Sequence, residues 1–426
     1  MGWGVDKLHR TGLLGGDYVS VLPPHGAVVV DMCSESRRVG SGARPESAER
    51  LAKRICKGLF AAAPVEASDG RAVLVAMFDC KERMHEARAD LHRRRYKLPT
   101  AAALAKARAA GKVMVDGVAF ERSSLPYTVA EVKALTAATP VVWSRLWASS
   151  HGKERSWELL YEGMALEHHR AGDPRRRFIM WLRGQPYEWP YDAGGDGLAG
   201  DLCNNTHGEG DQRVCEAARV LSVRGVRDIL IQTIDTDMII QILCTSNWGW
   251  KDNGPRGKLN LRLKNETISM GCVFRRLGET ANERCTAAFW CLACGGVDYC
   301  RGLTRFGFTT KVLMAMVTAR HSDVVRVGDG VTGLQTHGLM KHLCAMPRRN
   351  VKGRSVGEFV EELNSIIFCV VLFSGMSSKR EPCGGPVMPA VPAFGEVDGA
   401  TPFDGTFLTR VETGEIASTS VCHRDV

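Results

Sequence analysis

The stretch ILIQTIDTD, residues 229–237, places Asp235 and Asp237 directly behind a run of aliphatic and β-branched side chains. A short apolar run bounded by polar residues is typical of a strand that is buried on both faces of a parallel sheet. The same arrangement occurs twice earlier in the chain, where Asp31 follows AVVV and Asp79 follows VLVAMF. These repeated strand ends predict an α/β fold in which acidic residues collect at one edge of the sheet.

Three more acidic residues lie in short glycine-containing segments. Glu209 and Asp211 belong to HGEGDQ, at the start of a helical pattern, and Asp298 belongs to GGVDYC. Several ionised carboxylates in one crevice repel one another unless hard cations lie between them. Oxygen-only ligand sets favour Mg²⁺ or Mn²⁺ over zinc or copper, so the sequence predicts a divalent-metal phosphodiester hydrolase. The predicted catalytic and metal-binding residues are Asp31, Asp79, Glu209, Asp211, Asp235, Asp237 and Asp298.

The order of these seven acids, with their neighbours, resembles the flap-endonuclease/XPG family of 5′-nucleases, within the PIN-like superfamily. The resemblance covers roughly residues 1–320, and it depends on the joint order, because an Asp-x-Asp pair alone occurs often by chance. It implies a central, mostly parallel sheet flanked by helices, a helical arch inserted into this core, and a C-terminal helix-turn-helix-type element. For any single acid the alternative is a helix cap or a loop carboxylate, and Asp211 in particular could cap the helix beside it.

The resemblance also implies an enzyme that hydrolyses flapped or branched DNA, as in DNA repair, by a two-metal mechanism. Two Mg²⁺ ions about 4 Å apart, for which Mn²⁺ substitutes, would serve the attacking water, the charge on the phosphorus centre and the leaving oxygen. The family pattern assigns Asp237 and Asp298 to the second ion and the other five acids to the tighter site.

Departures from the family pattern keep two other functions open. Asp211 stands where the family usually has Glu, and Glu86 occupies the position of a family lysine, whereas Arg93 matches a family arginine. The sequence GEGD at 208–211 looks closer to the Gly-Glu-Gly-Glu of Xrn-type enzymes, so a 5′→3′ exoribonuclease or mRNA-degrading nuclease is the first alternative. A catalytically lapsed protein that only binds nucleic acid is the second.

A basic segment between Lys81 and Lys112 dominates the charge distribution of a chain with a net charge of +9, since ten bases there face three acids. A basic arm beside an acidic metal crevice suits a nucleic acid, DNA in preference to RNA, that is gripped in one place and cut in another. The alternative for this segment is a solvated helix face. The predicted nucleic-acid contacts are Lys81, Arg83, Arg88, Arg93, Arg94, Arg95, Gly302, Gly307 and Lys311.

Gly302 and Gly307 are the two ends of GLTRFG, residues 302–307, and Lys311 follows it. This segment resembles the glycine turn by which the family holds a duplex backbone, often with a bound K⁺ ion. Backbone N–H groups at such a turn and at the start of the following helix suit a phosphate. The segment departs from the family form at Arg305, which stands in a glycine position.

Five segments are predicted along the chain. Residues 1–97 and 173–300 form the two halves of the nuclease core, and 98–172 form a helical arch or insertion between them. Residues 301–376 form a C-terminal helical duplex-binding region, with helices near 309–320 and 355–374. Residues 377–426 are dense in Pro and Gly and predict a disordered tail.

Cysteine usage and hydropathy indicate the compartment. The chain has fifteen scattered cysteines and no secretory signal, which predicts reduced thiols in an intracellular protein, nuclear or cytoplasmic. No stretch approaches the roughly 20 apolar residues that cross a bilayer, so no membrane partner is expected. The pair Cys291 and Cys294 suggests zinc, but the surrounding pattern favours a buried helix in which cysteine is a core residue.

Overall fold

The computed structural model describes residues 26–40, 44–62, 72–78, 101–115, 118–171, 173, 175–182, 185–189, 198–203, 210–245, 248, 258–263, 266–297, 300, 302–303, 309–328, 331–345 and 356–374. These residues form two compact units. The first contains the described residues from 26 to 221 and residues 226–234, and the second contains residues 222–225 and the described residues from 235 onward.

The first unit combines a mostly parallel sheet with helices. Its strands are β1 (Ala27–Asp31), β2 (Ala72–Met77), β3 (Val113–Val115), β4 (Val118–Phe120), β5 (Arg176–Leu182), β6 (Gln185–Trp189) and β7 (Asp228–Thr233). Its helices are α1 (Met32–Val39), α2 (Ala48–Ala62), α3 (Ala101–Ala109), α4 (Val129–Ala134), α5 (Trp143–Leu146), α6 (Ser150–Ala171), α7 (Leu198–Cys203) and α8 (Gly210–Val223).

Five strands of this unit lie in the order β6-β5-β2-β1-β7. The three central pairings are parallel, and β6 joins the edge in antiparallel orientation. In the middle of the sheet, Val29 of β1 lies between Val75 of β2 and Ile231 of β7. Every residue of β1 and β2 is buried, which explains why both strands are almost purely aliphatic rather than alternating. The predicted α/β fold with a central, mostly parallel sheet flanked by helices is confirmed at this level.

The long helix α6 lies within the predicted insertion over residues 98–172. It packs against α2, and its Leu160 and Met164 belong to the same buried cluster as Val28 of β1 and Leu74 of β2. The reason is topological: β2 and β5 are parallel neighbours, so the chain between them must cross over the sheet, and α6 is a helix of that crossover. Helix α6 is therefore a layer of the core.

The second unit is built mainly from helices and two hairpins. Its helices are α9 (Met238–Cys244), α10 (Met270–Leu277), α11 (Ala281–Gly295), α12 (Thr310–Thr318), α13 (Thr336–Ala345) and α14 (Val356–Ser374). Its strands are β8 (Lys258–Leu263), β9 (Glu266–Ser269), β10 (Val325–Gly328) and β11 (Val331–Leu334), which pair as the antiparallel hairpins β8–β9 and β10–β11. Helices α9, α11 and α14 pack together, and α9 is buried along its whole length.

Two of the predictions concern this unit. The helices near 309–320 and 355–374 are confirmed as α12 and α14, but the hairpin β10–β11 between them was not predicted. The two units also divide inside the predicted segment 173–300, because β7 belongs to the first unit and α9 to the second. The predicted tail over 377–426 lies outside the described residues. Among the described helices, none is long and apolar enough to span a membrane.

Candidate functional site

Asp31 is the predicted site residue that the structure describes most fully. It is the last residue of β1 and the N-cap of α1, and its side chain is buried, with 5% of the residue exposed. Oδ1 accepts hydrogen bonds from the backbone N–H of Cys33 at 3.0 Å and of Ser34 at 3.2 Å. Oδ2 accepts from the hydroxyl of Ser34 and, at 3.2 Å, from that of Thr233. The carboxylate therefore joins the end of β1 to the end of β7.

These four donors determine which lone-pair positions of the Asp31 carboxylate remain for a ligand. An ionised carboxylate offers about four lone-pair positions, so the protein donors occupy all of them in this geometry. Two of the donors are hydroxyl groups, which rotate freely about their C–O bonds and redirect their protons at little cost. Oδ2 is thus the oxygen that can accept a cation, once Ser34 or Thr233 turns its proton elsewhere.

Asp211 lies in the first turn of α8, where its negative charge is favourable because backbone N–H groups point out of the helix end. Its side chain is half-buried, and Oδ1 accepts a hydrogen bond from the N–H of Gln212 at 2.8 Å. The other two acids of the first unit, Asp79 and Glu209, lie outside the described residues. Along the chain, Asp79 is the second residue after Met77, and Met77 pairs with Asp31 in the sheet register.

The remaining three predicted acids belong to the second unit. Asp235 Oδ1 accepts a hydrogen bond from the N–H of Asp237 at 3.0 Å, which closes a tight turn ahead of α9. Asp237 is the N-cap residue of α9 and is buried. Burial is the main cause that raises the pKa of the nearby thiol of Cys369, and the charge of Asp237 raises that pKa further. Asp298 lies outside the described residues.

The predicted nucleic-acid contacts are only partly described. Lys81, Arg83, Arg88, Arg93, Arg94, Arg95 and Gly307 all lie outside the described residues, so the basic arm and most of the glycine turn stay predictions. Lys311 is exposed in the first turn of α12, whose N-cap Thr309 accepts a hydrogen bond from Val312 N at 3.3 Å. The K⁺ ion expected at this turn likewise stays a prediction.

Close packing of the backbone explains why residue 302 is a glycine. A Cβ at this position would lie 2.7 Å from the carbonyl oxygen of Ala293, near the end of α11, and 3.1 Å from the backbone nitrogens of Gly295 and Gly296. The neighbouring Leu303 donates its N–H to the same carbonyl of Ala293 at 2.7 Å. Glycine is therefore required here for close backbone approach, whether or not a phosphate binds.

Two cysteines of α11, Cys285 and Cys291, are core residues. Cys285 and Cys291 are buried, and burial raises the pKa of Cys291 to about 12, which disfavours the thiolate that a metal needs. Cys285 donates to the carbonyl oxygen of Cys244 at 3.4 Å. No group of metal-ligating side chains that includes a cysteine forms among the residues that the structure describes.

One group of metal-ligating side chains was missed in the sequence. His321, Asp323 and His342 have their ligand atoms within 4.8 Å of one another. His342 lies 19 residues beyond Asp323, so no short motif connects them, and their proximity depends on the unpredicted hairpin β10–β11.

No protein-family model matches the chain, and no curated protein matches it. The resemblance to flap endonucleases therefore stays a prediction drawn from the order of the acids.

Proposed function

We propose that the chain is a metal-dependent 5′-nuclease that hydrolyses phosphodiester bonds in flapped or branched DNA. The observation that supports this best is the position of Asp31. It ends the central strand of a parallel sheet, between β2 and β7, and its buried carboxylate accepts hydrogen bonds from backbone N–H groups and hydroxyl groups. The carboxyl ends of parallel strands form the crevice in which open α/β folds bind their ligands.

The first unit supplies four of the seven predicted acids, namely Asp31, Asp79, Glu209 and Asp211. All of their ligand atoms are carboxylate oxygens, so the set fits Mg²⁺ or Mn²⁺ by its chemistry. When bound, two such ions would polarise the scissile phosphate and lower the pKa of the attacking water. In this proposal Asp31 contributes Oδ2, while Oδ1 keeps its two backbone donors and so fixes the orientation of the carboxylate.

The residues around Asp31 contribute by holding it rather than by reacting. Cys33 and Ser34 donate their backbone N–H groups because they lie in the first turn of α1, and this end of a helix favours a negative charge. Thr233 approaches from β7, so the position of the carboxylate depends on the pairing of β1 with β7. A ligand with so little freedom loses little entropy when a cation binds.

A panel of end-labelled substrates tests the proposal. Asp31→Asn should lower Mg²⁺-dependent cleavage of a 5′-flap DNA by at least about 100-fold, as expected for loss of a metal-binding charge. Affinity for the substrate in EDTA should stay within a few-fold, because the basic arm carries binding. The matched control is Asp228→Asn at the opposite, amino end of β7, which should cleave normally. Cleavage by Asp31→Asn at the control's rate would reject the site.

The three acids of the second unit extend the same test. Asp235→Asn keeps the oxygen that accepts from Asp237 N, so the turn ahead of α9 should survive while the charge is lost. The proposal expects Asp235→Asn and Asp298→Asn to abolish cleavage with binding within a few-fold. Full activity in Asp235→Asn would remove the second-unit acids from the proposed site.

The products separate the proposal from its nearest alternative. A flap enzyme releases an intact flap oligonucleotide, and a bulky block on the free 5′ end slows it if the strand must pass beneath an arch. An exoribonuclease instead yields mononucleotides from RNA with a 5′-monophosphate. Mononucleotides from RNA, with flap DNA left uncut, would favour the Xrn-like alternative.

A second candidate function, nucleic-acid binding without catalysis, is favoured by one observation. All four lone-pair positions of Asp31 accept protein hydrogen bonds, so the residue is satisfied as a helix cap with no cation. Binding of flap DNA without cleavage in Mg²⁺ or Mn²⁺, at any enzyme concentration, would favour this candidate.

A further inference from the structure

The side chains of His321, Asp323 and His342 meet at a corner of the second unit, between α12, the hairpin β10–β11 and helix α13. His321 and Asp323 lie in the short connection from α12 to β10, and His342 lies on α13. The ring centroids of the two histidines are 3.9 Å apart with a 42° angle between the planes. Nε2 of His342 lies 2.8 Å from Oδ1 of Asp323.

The hairpin fixes the first side of this corner. Its strand β10 is attached to α11 by two side chains, since Thr286 accepts from Val325 N at 3.1 Å and Asn282 accepts from Val327 N at 2.7 Å. Asp323 comes two residues before this anchored strand, so its backbone has little freedom. The other end of the hairpin returns beside it, because Gln335 donates its N–H to the carbonyl of Val324 at 2.8 Å.

Helix α13 fixes the second side, through a glycine. A Cβ on Gly338 would clash with the carbonyl oxygen of Asp323, so only glycine lets the first turn of α13 rest on this backbone. His342 follows Gly338 by four residues and therefore projects from the same face of the helix. Leu339 and Leu343 are fully buried and hold the helix in place, and Trp290 of α11 meets the His342 ring edge-on at 6.2 Å.

We propose that His321, Asp323 and His342 bind a divalent first-row transition metal of the Zn²⁺ class. Zn²⁺ accepts two imidazole nitrogens and one carboxylate oxygen as ligands, whereas Mg²⁺ and Ca²⁺ prefer sets made of oxygen ligands alone. The ligand atoms lie within 4.8 Å of one another, and a tetrahedral zinc ion separates its ligands by roughly 3.4 Å. Side-chain rotations that move the ligand atoms by about an ångström therefore suffice to place all three around one ion. The His342–Asp323 hydrogen bond marks the two groups that already face each other.

The burial of the three ligands indicates an open rather than a closed site. His342 is buried, His321 is half-buried, and the side chain of Asp323 is 40% exposed. Three protein ligands leave at least one coordination position, which faces solvent at Asp323 and would hold water. Lys341 is the competing cation, with Nζ at 3.8 Å from Asp323 Oδ2, but its exposed side chain is free to leave when a metal enters.

The alternative is an Asp–His pair that fastens α13 to the hairpin without any metal. This alternative uses His342 and Asp323 but gives no role to His321, whose ring lies against that of His342. The two readings therefore differ in what His321→Asn does. A structural pair tolerates it, whereas a metal site loses a ligand.

Zinc binding by the full-length protein, after removal of metals with EDTA, tests the proposal. Titration calorimetry and equilibrium dialysis should show one equivalent of bound Zn²⁺ in the unaltered protein that depends on these ligands. In His321→Asn and in Asp323→Asn this equivalent should be lost or should bind at least 100-fold more weakly. Lys341→Gln should bind at least as tightly as the unaltered protein, and His169→Asn, an exposed histidine of the first unit, should bind normally. Circular dichroism checks that each variant is folded.

Cobalt separates this site from the cysteines. Co²⁺ in a nitrogen–oxygen site gives only weak visible bands, whereas thiolate ligands add strong near-ultraviolet charge transfer. The equivalent lost in His321→Asn should lack the charge-transfer band, and Zn²⁺ should raise the Tm of the unaltered protein but not that of Asp323→Asn. Unchanged zinc stoichiometry and affinity in both ligand variants, equal loss in the His169→Asn control, or a thiolate spectrum for the lost equivalent would each overturn the proposal. His321 and Asp323 are partly exposed, so these variants keep the test usable even if changes at buried His342 prevent folding.

Discussion

At the scale of single residues, Asp31 has a structural role as the cap of α1 beside the chemical role that we propose for it, and the sequence alone presents these roles as alternatives. Its position after AVVV was visible in the sequence, and so was the strand that precedes it. The cap was not, because the sequence does not state that α1 begins at the very next residue. Thr233 was also invisible as a partner, since its 202-residue separation from Asp31 closes only through the pairing of β1 with β7.

Two substitutions at Asp31 separate these roles. Asp31→Ala removes the acceptor for two backbone N–H groups and should lower the free energy of unfolding by about 1–2 kcal/mol. Asp31→Asn keeps a side-chain oxygen for the N–H groups of Cys33 and Ser34 and should cost less than half of that. Urea denaturation of both variants measures the difference. Equal losses would show that the negative charge, rather than the cap, carries the stability.

At the scale of elements, the sequence predicted the strands better than their surroundings. The apolar runs that became β1, β2 and β7 are short, continuous and bounded by polar residues, so their period and length were readable. Helix α6 was recognised as helical but assigned to an insertion, because its role depends on which strands are neighbours. The hairpin β10–β11, and with it the cluster around Asp323, depends on long-range packing against α11 that no local pattern encodes.

The packing of α6 on the sheet predicts a dependence of stability on pH. His168 of α6 is fully buried, its ring stacks on Phe178 with centroids 4.7 Å apart, and neither ring nitrogen has a hydrogen-bond partner among the described residues. Burial, aided by the charge of Arg176, lowers the pKa of His168 to about 4. The histidine pKa in the unfolded chain is about 6.5, so between about pH 6.5 and pH 4 the unfolded chain binds a proton at this residue and the folded chain does not.

The sign follows from this difference. The contribution of the neutral, buried His168 to the free energy of unfolding is fully present above about pH 6.5. It is lost as the pH falls from there to about 4, and the loss is at most about 3 kcal/mol. His168→Phe should therefore flatten the fall in unfolding free energy between pH 7 and pH 5 relative to the unaltered protein. An identical fall in both proteins, measured by urea denaturation, would show that other groups cause the whole dependence.

At the scale of the whole molecule, a net charge of +9 supports binding to polyanions but does not say where they bind. The sequence concentrates basic residues between 81 and 112, and part of that segment, α3, is described as an exposed helix with Lys106 and Arg108 in its last turn. The two proposals rest on different residues: the proposed nuclease site on the acids that begin with Asp31, and the proposed zinc site on His321, Asp323 and His342 of the second unit. Each can fail without the other.

Salt dependence tests whether the basic segment is the nucleic-acid grip. Replacing the three arginines at 93–95 with Ala should weaken binding of flap DNA and reduce the slope of log affinity against log salt by about 2–3, since each lost phosphate contact removes about 0.9. The matched control removes the same charge from exposed positions elsewhere, by changing Lys53, Lys57 and Lys133 to Ala. If long-range charge alone attracts DNA, both triple variants should change the slope equally. If residues 93–95 contact phosphates, only the first should, because counterions are released where the protein touches the backbone.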